Sequence, residues 1–182
     1  SIILNKSKQV KKFMNILDVI INRRSIRKYT EQEISRETLM QLIKAGMYAP
    51  SAVNKQPWHF ILVTDKKLLN KIADVHPYGS MLRQAAAAIV VLGDITLAHT
   101  PDYMPVDCAA ATENILLAAH GLGLGAVWVG IHPREERKKA LKELFRLPDH
   151  IQPFSVISLG YPAEKVPVPN RFRPDRIHEN GW

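Results

Sequence analysis

Two hydrophobic rhythms alternate along the chain. Met14, Leu17, Val19, Ile20 and Ile21 give one apolar side to residues 14–22, which predicts a first helix. Behind Ser35, whose hydroxyl suits an N-cap, Leu39, Leu42, Ile43, Gly46 and Met47 recur at helical spacing until Pro50 ends the pattern. Short continuous apolar runs over 59–64, 88–93, 125–131 and 154–161 predict four strands. Asp65 opens a short helix through Val75, and His76-Pro77-Tyr78-Gly79 forms a turn before residues 81–86. Pro105 at a first helical position, with Asp107 in the first turn, opens a helix that runs to Gly121. That helix is apolar nearly all round, so it must be covered on every side, by its own core or by another subunit. A last helix spans 133–145. Strands alternating with helices, followed by a long tail, define an α+β domain.

At 182 residues the chain can bury one good core, and no composition shift marks a second domain. The expected organisation is an N-terminal tail over 1–13 and a single domain over 14–182. Within it, residues 163–182 have no helical periodicity and read as an extended arm. Phe172, Ile177 and Trp182 favour an arm ordered by lying on something else over a disordered tail. The apolar stretches are interrupted too soon to span a bilayer, and the lysines of the first twelve residues do not suit a signal peptide. The one cysteine, Cys108, lies among alanines and reads as a small core residue in a reducing compartment. A cytoplasmic protein is the expectation.

The formal charge of +8 raises nucleic-acid binding, but the cations are scattered. Lys6, Lys8, Lys11 and Lys12 fall in the tail, while Arg134, Arg137, Lys138, Lys139 and Lys142 are interleaved with Glu135, Glu136 and Glu143. No helix-turn-helix, RNP-type or zinc-finger pattern occurs, so no specific nucleic-acid partner is expected; a positive field serving anionic cofactors explains the bias as well. Gly121, Gly123 and Gly125 follow a helix and precede a strand, the reverse of a dinucleotide fingerprint. The seven histidines lack metal-ligand spacing, and no nucleophile elbow or P-loop is present. No metal is expected.

Two runs carry the candidate chemistry. Arg23-Arg24-Ser25-Ile26-Arg27 packs three guanidinium groups and a hydroxyl into five residues, and Pro50-Ser51-Ala52-Val53-Asn54-Lys55-Gln56-Pro57-Trp58 sets Ser, Asn and Gln between two prolines. Arginine forks match phosphate oxygens, and amide side chains match a heterocycle edge, so together they suit a planar polar ligand bearing a phosphate. Both runs resemble the FMN-binding signatures of the nitroreductase family, and the likeness extends through Gly121 to Gly130 and Pro169-Asn170-Arg171-Phe172-Arg173.

The resemblance implies a nitroreductase-like fold with a central, mostly antiparallel sheet flanked by helices, and a homodimer that exchanges its C-terminal arms. It implies that Arg23 reaches the FMN phosphate, joined by Arg171 or Arg173, with Arg24 and Ser25 beside the phosphate and ribityl chain. Arg27 would face the flavin N1/O2 side and tune the reduced state. Pro50, Ser51, Ala52, Asn54 and Gln56 would form the loop that the partner protomer lends to the ring, Ala52 standing where a second Ser is common. Val129 and Gly130 would bring a backbone N–H to flavin N5, Gly130 leaving room for close approach. Trp128 reads as core packing, and Tyr103 as a lid residue. The implied activity is hydride transfer from NAD(P)H through FMN to nitroaromatics, quinones or similar electron-poor acceptors, by a ping-pong mechanism. The alternative is a non-catalytic flavin-binding or polyanion-binding module on the same fold.

Overall fold

A computed structural model of the chain describes residues 15–182. The expected tail over 1–13, and Met14 of the first helix, lie outside the described residues. Four strands, β1 (Trp58–Val63), β2 (Ala87–Asp94), β3 (Gly125–Gly130) and β4 (Ile151–Gly160), form one sheet in the order β1-β2-β4-β3. Every neighbouring pair is antiparallel. Helices α1 (Ile16–Asn22), α2 (Arg36–Met47), α3 (Lys66–Val75), α4 (Tyr103–Gly121) and α5 (Glu135–Phe145) surround it.

All eight residues of β2 are buried, which explains its unbroken apolar run. Side chains alternate across a strand, so Ile89 and Val91 join the core with Leu39, Leu42, Ala111 and Ile115 of α2 and α4. Val90 and Leu92 join the opposite core with Leu69, Ile72 and Leu141 of α3 and α5. Three layers result. Cys108 is fully buried on the α4 side, and burial pushes its thiol up to about 12. Among the described residues, no helix is long and apolar enough to cross a membrane.

Ser35 and Asp65 cap α2 and α3 as their sequence positions suggest, accepting from Thr38 N–H at 3.1 Å and Leu68 N–H at 2.9 Å. Elsewhere the elements differ from expectation. The helix α4 starts at Tyr103, two residues before Pro105, which still sits in the first turn where a missing N–H costs no helical bond. Strand β4 starts at Ile151 and includes Pro153, which pairs with Leu92 where the register shifts between Val91 and Leu92. A bulge there accommodates a residue that cannot donate to the ladder. Residues Ser80–Gln84 form a 3₁₀ turn, α5 begins at Glu135, and Met47 is exposed at the end of α2. The arm is irregular apart from a 3₁₀ turn over Pro174–Arg176.

The arginine run is fastened to the open edge of the sheet. Ile26 N–H donates to the Ala126 carbonyl at 3.0 Å, Thr30 N–H to Tyr161 at 2.9 Å, and Ala163 N–H returns to Lys28 at 2.9 Å. Tyr29 lies buried between them; its hydroxyl donates to the Ile26 carbonyl at 2.8 Å and lies 3.0 Å from Ser158 Oγ. Burial pushes that phenol up to about 12. The ring fits because residue 160 is glycine: a Cβ there would stand 2.5 Å from Tyr29 Cγ. We expect Gly160→Ala to lower the folding free energy by about 1–3 kcal/mol, the usual cost of overpacking, measured by urea denaturation.

Candidate functional site

Arg23 follows α1 directly, with its Nε 3.7 Å from Glu113 Oε1 on α4. Arg24 folds back on the end of α1, donating from Nη2 to the Ile21 carbonyl and from Nε to Asn22 at 3.4 Å. Its Nη1 is buried without a partner, as is Nε2 of His120 in the last turn of α4. Burial, and then the charges of Arg171 and Arg23, pull the Arg24 guanidinium below its ordinary pKa. Burial, Arg23 and Arg24 do the same to His120. Groups from three parts of the chain therefore repel one another at one corner. Arg171 is the arm residue whose charge reaches Arg24; Arg173 is exposed and donates to the neighbouring Phe172 carbonyl at 3.3 Å.

Beside this corner a cleft of about 610 Å³ is lined by Ser25, Arg27, Met81, Arg83, Glu164 and Val166, among others. Glu164 Oε1 accepts from Arg27 N–H at 2.6 Å and from Lys28 N–H at 3.2 Å, so the backbone takes up the carboxylate and leaves the Arg27 side chain exposed. Arg83 was not anticipated from the sequence. An ion pair of 2.5 Å to Asp74 steadies its Nη2, and the path of the 3₁₀ turn brings it to the same cleft as Arg27.

Gly130 ends the edge strand. The Ala126 carbonyl is taken from outside the sheet by Ile26, so the period of two turns the backbone groups of Trp128 and Gly130 to that same outer edge. A Cβ at Gly130 would meet nothing within 4 Å; the space beside it is open within one chain. Its carbonyl accepts from His76 Nε2 at 2.8 Å and from Arg137 Nη1 at 2.9 Å. Tyr78 N–H donates to His76 Nδ1 at 3.1 Å, which assigns the proton to Nε2 of a neutral ring. Burial lowers the His76 pKa, the Gly130 carbonyl opposes that, and Arg137 lowers it further; the net shift is downward. Val129 is buried in the α3/α5 core, and Trp128 packs edge-on against Phe154.

The loop from Pro50 to Trp58 holds an unusual backbone. Val53, Asn54 and Gln56 have φ of 53°, 53° and 49°, the left-handed region, which a β-branched residue such as Val53 rarely adopts. Three bonds hold it: Ser51 Oγ accepts from Gln56 N–H at 2.9 Å, Asn54 Oδ1 from Gln56 Nε2 at 2.8 Å, and Asp107 Oδ1 on α4 from Ala52 N–H at 2.9 Å. Pro57 and Trp58 are buried and anchor its far end. None of Pro50, Ser51, Ala52, Asn54 and Gln56 lines the cleft beside Arg27. One chain thus presents the two candidate runs separately, and α4 grips both, through Asp107 and Glu113. Tyr103 opens α4, half-exposed beside His99.

Asp107→Ala leaves the Ala52 N–H unpaired, and we expect it to cost about 1–3 kcal/mol and to open the loop to proteolysis, while Asp107→Asn, which keeps the acceptor, costs less. Denaturation and limited digestion compare them. The histidines give a pH dependence of definite sign. His76, His120 and His132 all have folded pKa values below the ordinary 6.5, so below that pH the unfolded chain binds more protons than the folded one. We expect stability to be full above about pH 6.5 and to fall as the pH drops beneath it, with a shallower fall in His76→Gln. Urea titrations at several pH values read this directly.

The family model described as the nitroreductase family matches residues 20–76 and 75–161. A protein of Methanothermobacter thermautotrophicus with the provisional name NADH dehydrogenase/NAD(P)H nitroreductase is 49% identical over 169 residues, 93% of this chain and 88% of its own length. A solved structure from Parabacteroides distasonis with the same provisional name superposes with a TM-score of 0.88 at 43% identity, covering 92% of this chain and 98% of that one. An FMN-dependent nitroreductase from Clostridium difficile superposes with a TM-score of 0.85 at 30% identity, covering 91% and 99%. With its sheet order, its arginine run docked on the open edge and its strained loop accounted for, the chain belongs to the nitroreductase family.

Proposed function

We propose that the chain is an NAD(P)H-dependent FMN oxidoreductase that works as a homodimer. The observation that carries this reading is the positive corner of Arg23, Arg24, His120 and Arg171, where Arg24 Nη1 and His120 Nε2 are buried without partners. Holding the three guanidinium groups near one another, with two polar atoms left unpaired, costs free energy that a phosphate dianion at this spot would offset. The donor set fits FMN: guanidinium groups for the phosphate, Ser25 for the ribityl chain, and the open space at Gly130 for the ring edge.

FMN, when bound, supplies the two-electron hydride chemistry. Arg23, Arg24 and Arg171 fix the phosphate end and so set where the ring lies. Arg27, exposed in the cleft that Arg83 also lines, provides positive charge where the flavin becomes anionic on reduction. The outer-edge N–H of Gly130 orients the reactive atom. Ser51, Asn54 and Gln56 reach the ring from the second protomer, since within one chain they line no part of this cleft. A second copy would also cover Ile16, Leu17, Ile20 and Ile21 of α1, all exposed in the single chain, with the arm over 163–182 exchanged between protomers. NAD(P)H and then an electron-poor acceptor, a nitroaromatic or a quinone, would occupy the same face in turn, which is ping-pong kinetics.

The purified protein should be a yellow dimer, bleached by NADH or NADPH without oxygen and recoloured by a nitroaromatic or quinone. Colourless protein that binds no added FMN would refute the reading. Tight FMN with no bleaching would instead favour a non-catalytic flavin module. We expect Arg23→Ala and Arg171→Ala each to weaken FMN about tenfold to hundredfold, as loss of a charge-assisted bond does, while riboflavin, which lacks the phosphate, loses little. Arg173→Ala should change neither.

A further inference from the structure

We infer that His76 and Arg137 are positioning residues that jointly lock the Gly130 peptide, so that the edge-strand N–H meets the flavin at a fixed place. The inference rests on the FMN reading above and goes beyond it to residues that touch no proposed ligand.

The argument starts from a conflict at Gly130. Glycine leaves room for a ring to approach the strand, but it also has the widest backbone freedom of any residue. Here it stands last in β3, opposite Ser155, and beyond it the pairing loosens, because Ile131 N–H at 3.3 Å and His132 N–H at 2.9 Å share the single Phe154 carbonyl. The two peptide planes around Gly130 need separate anchors. Strand pairing holds the one before it, since Val129 lies within the ladder opposite Val156. The one after it has only a long, shared bond on its N–H side, from Ile131 to Phe154 at 3.3 Å, and is held more closely through the Gly130 carbonyl, which accepts two hydrogen bonds at once, from His76 at 2.8 Å and Arg137 at 2.9 Å.

The two donors come from different elements and brace one another. His76 follows the last residue of α3 and is only 4% exposed; Arg137 projects from the first turn of α5. Tyr78 closes the circuit: its N–H fixes the imidazole through Nδ1, and its ring lies 5.8 Å from the Arg137 guanidinium. A carbonyl held by two donors from different elements resists rotation, so the torsion on the carbonyl side of Gly130 is restrained. Tyr78 satisfies the acceptor nitrogen of this buried imidazole, and its donor goes to a carbonyl that it shares with an arginine fork.

The test uses FMN-loaded protein and three variants. His76→Leu removes one donor, Arg137→Met removes the other, and His76→Gln keeps an N–H of similar reach. We expect His76→Leu and Arg137→Met each to slow single-turnover reduction of the bound flavin about tenfold, because a misplacement of about an ångström is enough for that. The absorption band of the oxidised flavin should change shape, FMN affinity should stay within about twofold because the phosphate corner is untouched, and His76→Gln should recover most of the parent rate. In FMN-free protein, amide exchange of Ile131, whose N–H shares a peptide with the Gly130 carbonyl, should speed up about tenfold in Arg137→Met. Parent-like reduction, band shape and Ile131 exchange in Arg137→Met would overturn the inference, and so would a rate loss that tracks FMN affinity. Should His76→Leu fail to fold, Arg137→Met and His76→Gln decide. If the parent binds no FMN, the functional reading fails, and the exchange measurement still reports whether these two side chains lock the peptide.

Discussion

The site depends on one backbone hydrogen bond and the ring that shields it. Ile26 N–H reaches the Ala126 carbonyl on the free edge of β3, and Tyr29 fills the notch that Gly160 leaves, its hydroxyl returning to the Ile26 carbonyl. Between these two points the chain is pinned at both ends, by isolated bridges from Ser25 to Ala126 and from Tyr29 to Pro162. Ser25 and Arg27 are therefore placed by backbone geometry, and their side chains stay free for a ligand. A basic run on a flexible loop would hold similar charge with none of this precision.

What that docking creates is electrostatically unfavourable in isolation. The charges of Arg171 and Arg23 lower the Arg24 pKa, those of Arg23 and Arg24 lower that of His120, and Glu113 beside Arg23 offsets part of the repulsion. The loop at 51–56 stores a second kind of strain, three left-handed residues in four positions, restrained by Asp107. Both features sit on α4, whose apolar body is clamped between the sheet and α2. Strain and like charge persist where the surrounding structure over-determines them, and they concentrate where a ligand will use them.

Much of the fold was legible in the sequence because short apolar runs and capping residues are local signals. The four strands, the caps at Ser35 and Asp65, and the glycines after α4 follow from them. The misplaced boundaries share one cause. Pro153 lies inside β4 only because a bulge against Val91 and Leu92 receives it, and Pro105 is tolerated two residues inside α4; both depend on partners the local pattern does not name. At the site, the arginine run and the loop were recognisable as motifs, and the structure adds that the charge of Arg171 reaches Arg24 while Arg173 turns to its own neighbour's carbonyl. Arg83, Asp107, Glu113, His120, His76 and Arg137 carried no sequence signal of a place at the site. Each acts through a residue more than seven positions away or on another element, and a lone acid, base or imidazole looks the same in sequence whether it faces water or holds a loop.

The edge of β3 shows how these pieces answer one problem. An exposed edge strand invites pairing with another chain, and proteins usually blunt it. Here the arginine run covers its first half, ending the ladder that a foreign strand would need. The second half is left open at Gly130, with the carbonyl already taken by His76 and Arg137. An intruding strand requires both a donor and an acceptor at that position, and finds the acceptor occupied. A flat heterocycle needs only the donor. The same two bonds that restrain the peptide therefore also select against backbone pairing, and this is why an open edge can persist at Gly130.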